Sequence, residues 1–167
     1  ASLSDDVFGA IRNRLGQLKE TGKEYEPYRM QTKPITVPKN VFTDILQKGY
    51  NVTVNKAGKI ITSPESRPMS PTDVSQLQNF LDTYNIGTHT TNTFLNTREA
   101  LANLAKYEQG KTGILQSIAR DMRQALNERG RPQIKGLDKL DKQYEIEKTS
   151  LKKIQKASID TEGYKKW

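Results

Sequence analysis

The 167-residue chain contains no cysteine and only one histidine and one tryptophan. Without thiols it has no disulfides, no thiol nucleophile and no thiolate metal site. With His89 as the sole histidine, an all-histidine metal site cannot form within one chain. Aromatic residues make up 7% of the chain and apolar residues 34%, against 28% charged, and the mean hydropathy is −0.79. Such a composition gives a thin core under much polar surface, which suits an elongated helical body; recurrent Leu, Ile and aromatic positions argue against wholesale disorder. No run approaches the roughly 18 apolar residues of a membrane span. The amino terminus also lacks a signal-peptide apolar region, so the expectation is a soluble chain not secreted by a signal peptide.

Positive charge, by contrast, is in excess. The chain carries 27 Lys and Arg against 19 Asp and Glu, a net charge of +8 with a pI near 9.6. Residues 1–104 hold 12 basic and 10 acidic side chains, whereas residues 105–167 hold 15 and 9. The carboxy-terminal part is therefore the basic part, and it can attract nucleic acid or an acidic protein surface. Lys interleaved with Glu along a helix also describes a solvated face.

Along the chain, helical periodicity dominates. Val7, Phe8, Ile11, Leu15 and Leu18 form one helix face, with Ser4 as the expected cap and Gly22 as the stop. Two prolines bracket Ile35–Val37, which reads as a short edge strand. A brief helix runs from Asn40 to Gly49. Tyr50, Val52 and Val54 alternate with polar residues, a turn at Lys56-Ala57-Gly58 follows, and Lys59–Thr62 can return as a second strand. This predicts a hairpin that the Ile35 strand could join. After a proline-rich linker, Ser70-Pro71-Thr72-Asp73 has the chemistry of a helix start: a cap, proline in the first turn and an acid at the third position. Helical stripes then follow at Val74–Tyr84, from Thr93 to about Tyr107, after Thr112 to Leu126, and from Gly136 onward. In the last stripe Leu137, Leu140, Tyr144, Leu151 and Ile154 occupy heptad a or d positions, with Glu147 at one d position.

These elements predict a mainly α fold, an antiparallel helical bundle of three to four helices with a small N-terminal β-hairpin. Its divisions are an N-terminal helix plus hairpin over 1–69, the bundle over 70–160, and a mobile tail at 161–167.

Ala105–Gly113, "AKYEQGKTG", matches the loose form of a phosphate-binding loop. A working loop needs a strand leading into a glycine-rich turn whose amides face the phosphates. Here "LANLAKYE" precedes it, helical and not β-branched, and an acid stands where phosphate oxygens would sit. The reading is a helix break, with Gly110 as the C′ residue of one helix and Thr112 as the N-cap of the next. His89, in the polar "GTHTTN", reads as a solvated loop histidine. No catalytic residue, metal ligand or cofactor site is expected. Basic residues recur at Lys148, Lys152 and Lys156 with Lys153 beside them, and Arg120, Arg123, Arg129 and Arg131 cluster at the end of the preceding helix. Stripes of this kind contact nucleic-acid backbones. A solvated face that keys partner choice is the competing reading, and the interleaved acids favour it.

The succession "FLNTREALANLAKYEQGKTG", "ARDMRQALNERG" and "IKGLDKLDKQYEIEKTSLKKIQK" resembles a helical module of very large virion-associated proteins of tailed phages and mobile elements. Upstream, "LKETGKEYEPYRMQTKPITVPKN" is similar to the Tyr-bearing linker, short strand and small helix that precede such modules. The resemblance implies a structural or docking segment in a virion or the host cytoplasm. Its partners would be other protein chains, including phage structural proteins. It carries over no catalytic residues. The alternative is a basic protein that contacts nucleic acid without regard to sequence.

Overall fold

The structure, a computed structural model, describes the backbone of residues 3–165 and the side chains of residues 5–159. In chain order it contains α1 (Leu3–Lys23), a one-turn α2 (Glu26–Arg29), β1 (Pro34–Ile35), α3 (Val41–Tyr50), β2 (Thr53–Val54), β3 (Ile60–Ile61), α4 (Pro71–Tyr84), β4 (His89–Thr90), α5 (Thr91–Leu104), α6 (Ile114–Gly130), a 3-10 turn (Arg131–Gln133) and α7 (Leu137–Lys165). The fold is mainly helical, with a few short antiparallel strands.

Two compact units form, one from residues 29–134 and one from 1–28 together with 135–167. This differs from the expected division at 69/70. The small helix α3, expected with the N-terminal segment, packs on α6; α7, expected as a rod of the 70–160 body, packs along α1. Heptad rows announce that a partner is needed without naming it, and that is where the expectation parted from the structure.

Within 29–134, α6 packs against α3, α4 and α5. Its Leu115, Ile118, Met122 and Leu126 recur at helical spacing and are all at most 1% exposed. Leu77, Phe94 and Leu101 on the facing helices are equally buried. Each such side chain contributes about 1.5–3 kcal/mol by leaving water. The end of α6 comes so close to α5 that a Cβ added at Gly130 would overlap the Phe94 ring. Tyr50 ties α3 to α6 by donating its hydroxyl to Asp121 Oδ2 at 2.7 Å. Burial first, and the carboxylate second, push the Tyr50 phenol pKa up.

Local signals are followed in part. Ser70 caps α4 with a reciprocal box: its Oγ accepts the Asp73 N–H and its own N–H donates to Asp73 Oδ2. Thr90 and Thr93 do the same for α5, which therefore starts at Thr91, ahead of Thr93. Asn40 stands at the start of α3 but makes no capping bond, its amide donating instead to the Asp44 carboxylate. α3 runs past Gly49 to Tyr50, and Asn51 ends it in the left-handed region (φ 52°, ψ 39°), where Asn is better tolerated than most residues. Tyr50 thus belongs to a helix, and only Thr53–Val54 pair with Ile60–Ile61. The Gln78 side chain on α4 holds that turn, accepting the Ile60 N–H and donating to the Gly58 carbonyl. β1 does not join this pair. It pairs with β4 in the register Pro34↔Thr90 and Ile35↔His89.

In the other unit, Thr21 donates to Glu147 at 2.6 Å and Tyr25 to Asp141 at 2.7 Å, so α1 and α7 run antiparallel. Tyr25 meets Tyr144 edge to face, with ring centroids 5.7 Å apart. Glu147 interrupts the apolar heptad row because the buried Thr21 hydroxyl needs an acceptor there. At the start of α7, Gly136 takes a positive φ of 83°, and a Cβ on it would lie 2.6 Å from the Tyr28 hydroxyl, which itself donates to the Lys135 carbonyl. α1 begins at Leu3, one residue before the expected cap Ser4, whose side chain lies outside the described residues. Of the expected tail at 161–167, residues 161–165 continue α7, and Lys166 and Trp167 lie outside the described residues.

Candidate functional site

Among the described residues no strand leads into the Gly-Lys-Thr segment, which follows α5. α5 ends at Leu104, with Ala105 as its cap, earlier than the expected stop near Tyr107 and well before Gly110. Tyr107 is 85% exposed, so no apolar anchor carries the helix on. The Lys111 ammonium donates to the Leu104 and Lys106 carbonyls at 3.2 and 3.1 Å, and its side chain is only 3% exposed. It satisfies orphan acceptors at the helix end, the place where a cation is favoured. Gly110 is therefore not a C′ residue but part of the turn, with φ 86°; a Cβ on it would come within 2.7 Å of Thr72 Oγ1. Its carbonyl accepts the Ser70 hydroxyl at 2.6 Å.

Asp73, fully buried, organises this turn. Besides the Ser70 N–H, its carboxylate accepts the Thr112 N–H at 3.0 Å and the Thr112 hydroxyl at 2.7 Å. Burial opposes the Asp73 charge, yet the bonds from Ser70 and Thr112 outweigh it and hold the pKa below the ordinary carboxylate value. The cap position of α6 is Gly113, with no side-chain bond, and Thr112 contributes only a long 3.4 Å acceptance from the Ile114 N–H. The segment read as a phosphate loop is thus a staple between the start of α4 and the turn after α5.

His89 departs from the solvated-loop expectation. It sits in β4 opposite Ile35, is 1% exposed, and its Nδ1 has no hydrogen-bond partner among the described residues. Burial lowers its pKa. No group of three or more His, Asp or Glu that could hold a metal ion occurs among the described residues.

The eight basic candidates fall in both units. Lys152, Lys153 and Lys156 are exposed and Lys148 half-buried along α7, in the unit of residues 1–28 and 135–167. In the unit of residues 29–134, Arg120, Arg123 and Arg131 line one groove of about 540 Å³ between α5 and α6, and Arg129 does not. Leu101, Ala102, Ala105 and Ala119 also line it, together with the amides of Gln116, Gln124 and Asn127. Ala102 is exposed here. The amides were missed in the sequence, although Gln116, Arg120, Arg123, Asn127 and Arg131 recur at spacings of three and four that mark one helix face.

A second groove, about 620 Å³, lies between α4 and α5 and has the opposite character. It is lined by Gln76, Asn79, Asn96 and Asn103 with Glu99 and Glu108. Glu99 accepts from Arg29 at 3.2 Å and Glu108 from Gln76 at 3.3 Å.

No protein-family model, curated protein or solved structure matches the chain. Among the described residues no helix is long and apolar enough to cross a membrane.

Proposed function

We propose that the chain is a non-enzymatic structural or protein-docking module, an antiparallel bundle of three to four helices with a small hairpin near its amino terminus, working in a phage virion or its host cytoplasm. The observation that carries the docking reading is the open α5–α6 groove, where arginines and amides stand beside an alanine floor. The polar groups of the Gly-Lys-Thr turn support the same reading, since Lys111, Asp73 and Thr112 are engaged by the chain's own backbone and side chains. The virion setting and its partners, other structural chains, rest on the resemblance of the three helical segments to phage modules. The test is quantitative mass spectrometry of gradient-purified particles from cells making the tagged chain. Co-sedimentation at a fixed copy number is expected; its absence from every particle fraction sinks the reading.

A second reading has a specific observation in its favour, because Arg120, Arg123 and Arg131 converge on one groove. They could meet phosphates as sequence-independent nucleic-acid contacts. Phosphate binding weakens steeply between about 50 and 200 mM salt. Titration against duplex and single-stranded DNA at both salts is expected to show no binding; steep salt-sensitive binding would put this reading first.

A further inference from the structure

We infer that the α5–α6 groove docks an acidic amphipathic helix of a partner protein, with its acidic edge against Arg120, Arg123 and Arg131 and its small apolar face on Ala102, Ala105 and Ala119. The inference rests on the docking reading and adds to it the place and the chemistry of the partner.

The charge of the groove points to the sign of the occupant. Three arginines line it against one acid, Glu128. Arg123 makes no hydrogen bond or ion pair among the described residues. Arg120 donates to Ser117 Oγ at 3.4 Å and lies 3.6 Å from the half-buried Asp121, but its own side chain is 74% exposed, so these long contacts are worth little in water. Guanidinium groups on a groove wall favour bidentate carboxylate recognition. The same charge disfavours a second copy of this chain, whose net charge is +8.

The floor points to the shape. Ala102 is exposed and Ala105 half-buried on α5, and Ala119 is 3% exposed on α6. Small residues allow a third helix to seat at the short end of the usual 8–10 Å interaxial distance. Gln116 and Gln124 stand beside the floor, where they can bond the polar edge of such a helix. A phosphodiester strand would gain nothing from alanine methyls, and among the described residues no aromatic side chain lines the groove for bases to stack on. These two features favour a protein helix over nucleic acid.

The test uses the full chain and a fluorescent helical peptide of about 18 residues, roughly 27 Å long, with Glu flanking an Ala/Leu face. A scrambled peptide of the same composition, duplex DNA and single-stranded DNA serve as competing probes, read by anisotropy. The amphipathic peptide is expected to bind about tenfold tighter than the scrambled one. Arg120→Glu with Arg123→Glu should weaken it about tenfold or more, as should Ala102→Arg, which blocks the floor from an exposed position and leaves the core intact. Lys152→Glu with Lys156→Glu should leave the affinity unchanged. Equal binding of the scrambled peptide, preference for either DNA, no peptide binding, or indifference to the groove variants would each overturn the assignment. If the groove fails while the chain still co-sediments with particles, the docking reading stands and only its location falls; loss of both removes both.

Discussion

In residues 29–134, Leu46, Leu77, Phe94, Ile118, Met122 and Leu126 are all at or below 1% exposure. In residues 1–28 with 135–167 Leu137, Leu140 and Leu151 are buried, but Phe8 is 51% exposed, Leu15 47% and Ile146 70%, and hydroxyl-to-carboxylate ties add to the pairing of α1 with α7. The first unit has enough depth to remove side chains from water on all sides. Two paired helices bury only the seam between them, so polar cross-links supply alignment that packing alone would leave loose. Apolar substitutions in the first unit should therefore act through desolvation and volume, whereas loss of one tie along the α1–α7 seam should be a small, local effect.

The largest expected effect comes from Asp73→Ala. It orphans the Ser70 and Thr112 amides inside the fold and should cost about 3 kcal/mol or more, read as a loss of chemical-denaturant stability for residues 29–134. Gly130→Ala comes next, since its methyl must displace the Phe94 ring; about 1–3 kcal/mol is expected, with partial recovery in the double variant with Phe94→Leu. If Gly130→Ala is silent, the tight α5–α6 approach is wrong. Tyr25→Phe in the two-helix unit should cost only about 1 kcal/mol, and hydrogen exchange should speed in α1 and α7 while α6 keeps its protection. Equal acceleration everywhere would erase the contrast between the units.

The smallest effects separate by pH. The folded His89 pKa lies below 6.5, so the unfolded chain takes up its proton first; stability should decline as pH falls below about 6.5, and His89→Gln should flatten that step. The folded Asp73 pKa also lies below its unfolded value of 3.8, so its contribution is complete above that pH and is lost as pH falls through the folded value. A pH–stability curve of the His89→Gln variant that retains the upper step would show that His89 is not its source.

What the sequence reveals follows the reach of each interaction. The Ser70-Pro71-Thr72-Asp73 start and the apolar stripe of α6 are local, and helix rules applied to neighbouring residues suffice to find them. The same rules find only half of Asp73's role, because Thr112 is 39 positions away. β1 and β4 are two residues each, too short to show an alternating pattern, and the polar neighbours of His89 hide its burial. The heptad row of α7 shows a seam, while its partner at the far end of the chain is set by pairing that no local pattern encodes. Of the groove, the arginine spacing was visible and the alanine floor was not, since alanine fits inside and outside a helix equally well.

Because the antiparallel pair joins α1 to α7 across the whole of residues 29–134, synthesis order matters. As the chain leaves the ribosome, α1 emerges long before its mate exists, while residues 29–134 are complete and can collapse on their own. Once they have done so, the intervening chain is no longer a long floppy tether, and the two arms need search far less space to meet. Zippering of α1 with α7 is then expected to follow the collapse of residues 29–134 rather than to precede it.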